Sequence, residues 1–147
     1  MEYFTMEIET HFKRSNILSI AVLMALAFTP TSAVAHKPEE VKAAVVESLV
    51  HEFSARQLGR KCRSLSFNIG GAFKAAKALK ASMEAAGHKK SEVNKAALSI
   101  SIKKQSAAAT KLIVSKGVDT SDKSTYCAVG HAEVEAKSAI GALLKAK

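Results

Sequence analysis

Residues 16–37 read N-I-L-S-I-A-V-L-M-A-L-A-F-T-P-T-S-A-V-A-H-K, and this stretch decides the conditions under which the rest of the chain folds. It follows the basic pair Lys13-Arg14 and contains an apolar run over residues 17–28. Residues 33–35, Ala-Val-Ala, place small side chains at the two positions that an export peptidase reads. This three-part pattern predicts a secretory signal peptide. We therefore expect a periplasmic or secreted protein that folds where thiols oxidise.

An uncleaved membrane anchor is the alternative to a cleaved signal peptide. Residues 17–35 approach the roughly 20 mostly apolar residues that a spanning helix needs, but residues 29–32 are Thr-Pro-Thr-Ser. We therefore predict cleavage, with residues 1–35 as the signal peptide and residues 36–147 as a single helical domain. Its 112 residues lie near the usual size of one domain.

The predicted mature chain is strongly basic. The sequence has 22 Lys and Arg against 13 Asp and Glu; residues 1–35 hold two and three of them, which leaves 20 and 10 and a net charge of +10. Such a charge favours anionic partners, such as lipid headgroups, envelope polymers or an acidic protein surface. Export argues against nucleic acid as a partner, and no small-molecule substrate is expected. The alternative is that the lysines only solvate helix faces and keep a small protein soluble.

Alanine, lysine and glutamate dominate residues 38–147, which predicts an all-α chain folded as a small four-helix up-down bundle. Gly59, Gly87 and Gly117 are expected to end the first three helices. The predicted helices cover residues 38–58, residues 64–86, residues 92–116, and a last span from residue 121 or 124 to the end.

One stretch departs from the helical pattern. Leu98-Ser99-Ile100-Ser101-Ile102 alternates apolar and polar residues as a strand does. It lies between helix-favouring stretches, so we assign it to the third helix.

Cys62 and Cys127 are the only cysteines of the chain. In an up-down bundle the second and fourth helices begin at the same end, which brings the two thiols together. In an oxidising compartment they should form a disulfide. Closing a loop of this length would stabilise the fold by about 4 kcal/mol at most. A redox-active pair or metal ligation is the alternative, but the Cys-x-x-Cys motif of such sites is absent.

Six lysines are candidates for the surface that meets an anionic partner. Three recur at three-residue spacing on the second predicted helix, and three lie on the third. They are Lys74, Lys77, Lys80, Lys103, Lys104 and Lys111. We predict that they form one basic face whose binding weakens at high salt.

Catalytic and cofactor motifs are absent from the sequence. There is no His-Glu-x-x-His, Gly-x-Ser-x-Gly, phosphate-binding loop or dinucleotide fingerprint, so we expect no enzyme, no cofactor and no metal site. His131, Glu133 and Glu135 are spaced so that they splay around a helix. His36 is the one exception considered, because cleavage after Ala35 would make it an amino terminus able to chelate copper together with a second histidine.

The C-terminal third of the chain resembles a family of small exported bacterial proteins, the domain of unknown function 5333. The resemblance is carried by residues 112–134, L-I-V-S-K-G-V-D-T-S-D-K-S-T-Y-C-A-V-G-H-A-E-V, and residues 138–147, S-A-I-G-A-L-L-K-A-K. The family pattern has a signal peptide, a Gly-Val-Asp turn, a Cys-Ala-Leu-Gly stretch and a basic end. Here these correspond to residues 117–119, 127–130 and 143–147.

An earlier family cysteine corresponds to Cys62. The chain departs from the pattern at Val129 in place of Leu, His131 in place of Arg and Lys145 in place of Arg, and it lacks a proline before the fourth helix. The motifs are structural, so they imply no activity. The family's association with gene clusters of the proton-pumping NADH dehydrogenase implies, as an alternative function, a periplasmic accessory subunit of that respiratory membrane complex.

Overall fold

Helix α1 (Pro38–Lys61) is the element on which most of the other elements pack. The computed structural model describes residues 38–147. Pro38 suits a first turn, where its missing N–H would have no partner. Glu39 and Glu40 lie at the positive end of the helix dipole, and Arg60 and Lys61 lie at its negative end.

Residues 38–147 are mostly helical, as the composition predicts. Asn68 and Asp122 cap helices by accepting backbone N–H groups, from Gly71 at 2.9 Å and from Ser124 at 2.8 Å. The remaining elements are β1 (Leu65–Phe67), α2 (Ile69–Ala85), α3 (Lys90–Leu98), α4 (Ile102–Ser115), α5 (Lys123–Glu135), a 3-10 helix (Gly141–Leu143) and β2 (Leu144–Ala146).

The two short strands form an antiparallel ribbon between distant parts of the sequence. Leu65 lies opposite Ala146, and Phe67 lies opposite Leu144. The ribbon is extended by a hydrogen bond from the Lys147 N–H to the Ser64 carbonyl, 3.0 Å long. The end of the chain is thereby held against the segment that follows α1.

Buried apolar side chains form two separate clusters. The larger, here called the disulfide-end core, lies where α1, the ribbon, α4 and α5 meet. Its members are Ala55, Leu58, Cys62, Leu65, Ile113, Val118, Tyr126, Val129, Ile140, Leu143 and Leu144. The smaller, the valine core, joins the start of α1 to α3 through Val41, Val45 and Val93. Helix α2 contributes no buried residue to either.

The four-helix up-down bundle is not found, because the predicted second, third and fourth helices each differ from the observed elements. Residues 65–67 pair as a strand instead of opening the second helix. The third predicted helix is interrupted, since the Ser99 hydroxyl donates to the Ala96 carbonyl and Ser101 caps α4. The interruption lets α3 pack in the valine core while α4 packs in the disulfide-end core.

The fourth predicted helix stops at Glu135 instead of continuing to the end. Lys137 takes a left-handed backbone conformation, φ 50°, which turns the chain so that the following 3-10 helix and β2 fold back. Ile140, Leu143 and Leu144 thereby become buried in the disulfide-end core, which an extended helix could not achieve.

Gly59 does not end α1, which continues to Lys61. The glycine is needed for close approach, because a Cβ at this position would lie 2.9 Å from the Phe67 backbone nitrogen. The other two predicted stops are correct: Gly87 and Gly117 have φ values of 90° and 103° just after α2 and α4.

The signal peptide and His36 lie outside the described residues. Within residues 38–147, no helix is both long enough and apolar enough to cross a membrane.

Candidate functional site

The predicted disulfide is present at the end of α1. Cys62 and Cys127 are joined with an S–S distance of 2.09 Å and a Cα–Cα distance of 4.8 Å. Cys62 directly follows α1 and is 1% exposed, and Cys127 lies in the second turn of α5. The bond therefore holds the end of α1 against the beginning of α5.

Four basic side chains converge beside this bond. Arg60, Lys61, Arg63 and Lys123 line a surface depression of about 660 Å³, here called the basic depression. Three of them flank Cys62 within the sequence G-R-K-C-R. Lys123 precedes Cys127 by four residues, one helical turn. The disulfide joins the two segments that carry these cations.

The basic depression has no counter-charge of its own. None of its four cations forms an ion pair with a carboxylate of residues 38–147, and no Asp or Glu among those residues lines it. The neighbouring Asp122 does not line the depression, and its carboxylate accepts the backbone N–H of Ser124 as the cap of α5. Like charges in a concave surface concentrate the local field, so a bound anion would relieve their repulsion.

An apolar slot adjoins the basic depression. It has a volume of about 370 Å³ and shares Arg60 with the depression. Its other lining residues are Phe53, Arg56, Gly59, Phe67, Ile102 and Ser106.

Arg56 closes one side of the apolar slot and is already neutralised. Its guanidinium lies 4.2 Å from the centre of the Phe67 ring and donates to the Glu52 carboxylate at 2.6 Å. Ile102 lies at the mouth of the slot with 69% of its surface exposed. The slot is therefore an apolar recess in which Arg60 is the cation without an ion pair among residues 38–147.

The six lysines predicted from the sequence lie on two different helices. Lys74, Lys77 and Lys80 are on α2, and Lys103, Lys104 and Lys111 are on α4. Helix α2 packs mainly on α1, α3 and the 3-10 helix, whereas α4 packs mainly on α1. None of the six lines the basic depression. That the six lysines form one basic face stays a prediction.

His131, which was considered in the sequence analysis, and His88 occupy separate surroundings. His131 Nε2 is 2.8 Å from Ser64 Oγ, and that hydroxyl is 3.2 Å from Cys62 Sγ. His88 is buried and lies near Glu92. Among residues 38–147, no three His, Cys, Asp or Glu side chains are grouped so that they could hold a metal ion.

Glu133 is the one acidic side chain buried within residues 38–147. Burial raises the pKa of its carboxyl, but hydrogen bonds from Lys116 and Ser138 outweigh it and hold the pKa below its ordinary value. Lys116 Nζ is 2.7 Å from Glu133 Oε1. Ser138 also accepts the Gly141 N–H at 2.9 Å. The ionised carboxylate therefore stabilises the turn after α5. It does not line the basic depression.

Helical spacing predicts the six lysines of α2 and α4 as the binding surface and does not predict the basic depression. The signal was the density of basic residues around Cys62, three in the five residues 59–63. The density indicates a site only together with Lys123, which lies 60 residues beyond Arg63 in the sequence. The disulfide joins the segments that carry the two groups.

Comparison with known families agrees with the resemblance seen in the sequence. Residues 37–145 match the model of DUF5333, a family of unknown function. No curated protein and no solved structure matches the chain. The match covers most of the sequence, and the chain therefore belongs to the DUF5333 family.

Proposed function

We propose that this DUF5333 protein is an exported, non-catalytic binding protein that holds an anionic partner in the basic depression. One observation carries the proposal: four cations without ion pairs among residues 38–147 line the same concave surface, and no carboxylate of that range lines it with them. An uncompensated cluster of this kind is stabilised when an anion binds.

The composition of the basic depression favours phosphate or carboxylate groups. Arg60 and Arg63 present planar guanidinium groups, which can donate two parallel hydrogen bonds to such an anion. Lys61 and Lys123 add charges on flexible stems. Single exposed charge pairs contribute only about 0–1 kcal/mol each, so useful affinity depends on several cations acting on one multivalent anion.

The disulfide supports export. Disulfides persist in oxidising compartments and are rare in the cytosol, and the Cys62–Cys127 bond joins the two segments that carry the cations of the proposed site. The predicted signal peptide and the positive charge of the chain agree with a partner in the cell envelope, where anionic lipids, polymers and acidic protein surfaces are available.

The lysines of α2 and α4 remain the second candidate surface. They are exposed or half-buried and form no ion pair within residues 38–147. The basic depression is preferred because its cations line one concavity, whereas the six lysines are divided between α2 and α4.

Retention on an immobilised polyanion, such as heparin, tests the proposal with two charge-matched variants. Arg60→Gln/Arg63→Gln removes two cations from the basic depression, and Lys74→Gln/Lys77→Gln removes two from α2. All four residues are exposed, so both variants should fold. We expect the arginine variant to elute at clearly lower salt than the wild type and the lysine variant to elute close to it. Equal shifts would mean that overall charge, not the depression, binds the polyanion, and would contradict the proposal.

A further inference from the structure

We infer that the anionic partner is the surface of a bilayer containing anionic phospholipid. Headgroup phosphates would bind in the basic depression, while Ile102 and the apolar slot contact the acyl region. The inference rests on the proposed function and narrows it, because it names the class of anion and adds an apolar contact that a soluble polyanion does not require.

The first argument is the adjacency of the two surfaces. Arg60 lines both the basic depression and the apolar slot, so cations and apolar side chains meet along one boundary. Surfaces that lie on membranes combine basic residues at headgroup level with apolar residues below them. Arg60 at the boundary can place its stem along apolar surface and its guanidinium among headgroups.

The second argument is the exposure of apolar side chains at the mouth of the slot. Ile102, the first residue of α4, is 69% exposed, and Leu98, the last residue of α3, is 89% exposed. Phe53 and Phe67 form part of the recess behind Ile102. A large apolar side chain at a rim next to unpaired cations suits an amphiphile, which offers an acyl chain and an anionic group within one molecule.

An acidic protein surface fits these observations less well. The slot's second guanidinium, that of Arg56, is already paired with Glu52 and stacked on Phe67, so it offers little to an incoming carboxylate. The unpaired cations line the basic depression, and the apolar slot adjoins it at Arg60. A cationic surface beside an apolar one matches the headgroup and the acyl chain of an anionic lipid.

Single-tryptophan variants of the full chain test the inference directly, because the sequence has no tryptophan. Ile102→Trp places the reporter at the slot. Phe73→Trp is the matched control, since Phe73 is 74% exposed on α2. Vesicles of phosphatidylglycerol mixed with phosphatidylcholine are compared with vesicles of phosphatidylcholine alone. All variants share residues 1–37, so any contribution of the apolar run at 17–28 is common to them.

We expect the emission of Ile102→Trp to shift to shorter wavelength with the anionic vesicles only, and to be quenched by lipids brominated in their acyl chains. The emission of Phe73→Trp should change little. Adding Arg60→Gln to Ile102→Trp should weaken vesicle binding about fivefold, since a basic residue near an anionic surface contributes about 1 kcal/mol. Circular dichroism of each variant confirms that the helices are retained.

The outcomes separate this inference from the proposed function. If Arg60→Gln/Arg63→Gln loses polyanion retention but Ile102→Trp shows no shift with anionic vesicles, the lipid inference is wrong and the proposed function stands. If neither effect occurs, both are wrong. A shift in Phe73→Trp alone, an equal shift of Ile102→Trp with neutral vesicles, or a shift unaffected by Arg60→Gln would also overturn the inference.

Discussion

The two hydrophobic cores of this protein differ in how they are held together. The disulfide-end core has eleven buried members drawn from elements that are far apart in sequence, and a covalent bond lies within it. The valine core has three, from α1 and α3, with partly buried side chains around them. The proposed site lies beside the first core. The comparison shows that the proposed site borders the more extensively buried and covalently linked of the two cores, whereas the smaller core packs the beginning of α1 on α3.

Removal of the disulfide should have the largest effect. Cys62→Ala/Cys127→Ala frees a loop of 65 residues, and we expect the free energy of unfolding to fall by about 4 kcal/mol. Urea denaturation followed by circular dichroism measures this change. Wild type treated with a thiol reductant should shift similarly. An unchanged midpoint in both would show that the disulfide-end core holds without its covalent bond.

A matched pair of Val→Ala substitutions compares the two cores directly. Val118 is 3% exposed in the disulfide-end core, and Val41 is 1% exposed in the valine core. We expect Val118→Ala to cost about 2 kcal/mol, because a well-packed core collapses poorly around a cavity. Val41→Ala should cost about 1 kcal/mol, since fewer buried neighbours surround it and alanine favours the helix. If urea denaturation shows that both variants lose the same free energy of unfolding, the proposed difference in packing between the two cores is wrong.

Acid should weaken the disulfide-end core through Glu133. Its pKa is lower in the folded state than in the unfolded state, so the unfolded chain binds the proton first as pH falls. The stabilisation is complete above the ordinary glutamate pKa and is lost as pH falls from there through the folded value. We expect Glu133→Gln to cost about 1 kcal/mol at neutral pH, and to flatten stability against pH in that acidic window.

The exposed Glu135, two residues further along, provides the control for this pH dependence. Glu135→Gln should retain the wild-type profile of stability against pH. If Glu133→Gln loses stability in acid as steeply as the wild type does, another group is responsible.

Local features of the sequence were sufficient for the helical content and for the glycine stops after α2 and α4. The disulfide is present although the bundle topology that predicts it is not, because the chain has only two cysteines and α5 packs on α1 in the observed fold as well. Local features were insufficient for the ribbon, because each strand has three residues and pairs with one about 79 positions away. Such short strands carry no local pattern and are stabilised only by their distant partner. The turn at Lys137 was likewise invisible, since lysine favours helix elsewhere.

The candidate site was also predictable only in its local part, and not in the contacts between residues far apart in the sequence. The basic residues around Cys62 could be read from the sequence, but not their meeting with Lys123 or the recess between α1, Phe67 and Ile102. The strand-like alternation around Ser99–Ser101 marks the place where the helix is interrupted, but the helix-favouring stretches on both sides predict a continuous helix. A continuous helix gives no indication that Ile102 is exposed.

The ribbon has a consequence for biogenesis. Leu65 lies opposite Ala146 of β2 and is fully buried in a cluster that includes residues of α5, and both elements are synthesised after α1 to α4. A nascent chain that contains only α1 to α4 would still expose Leu58 and Leu65 to water, with Cys62 unpaired until Cys127 is made. Contacts of such long sequence separation form slowly, so aggregation at this stage would compete with folding until α5 and β2 are complete.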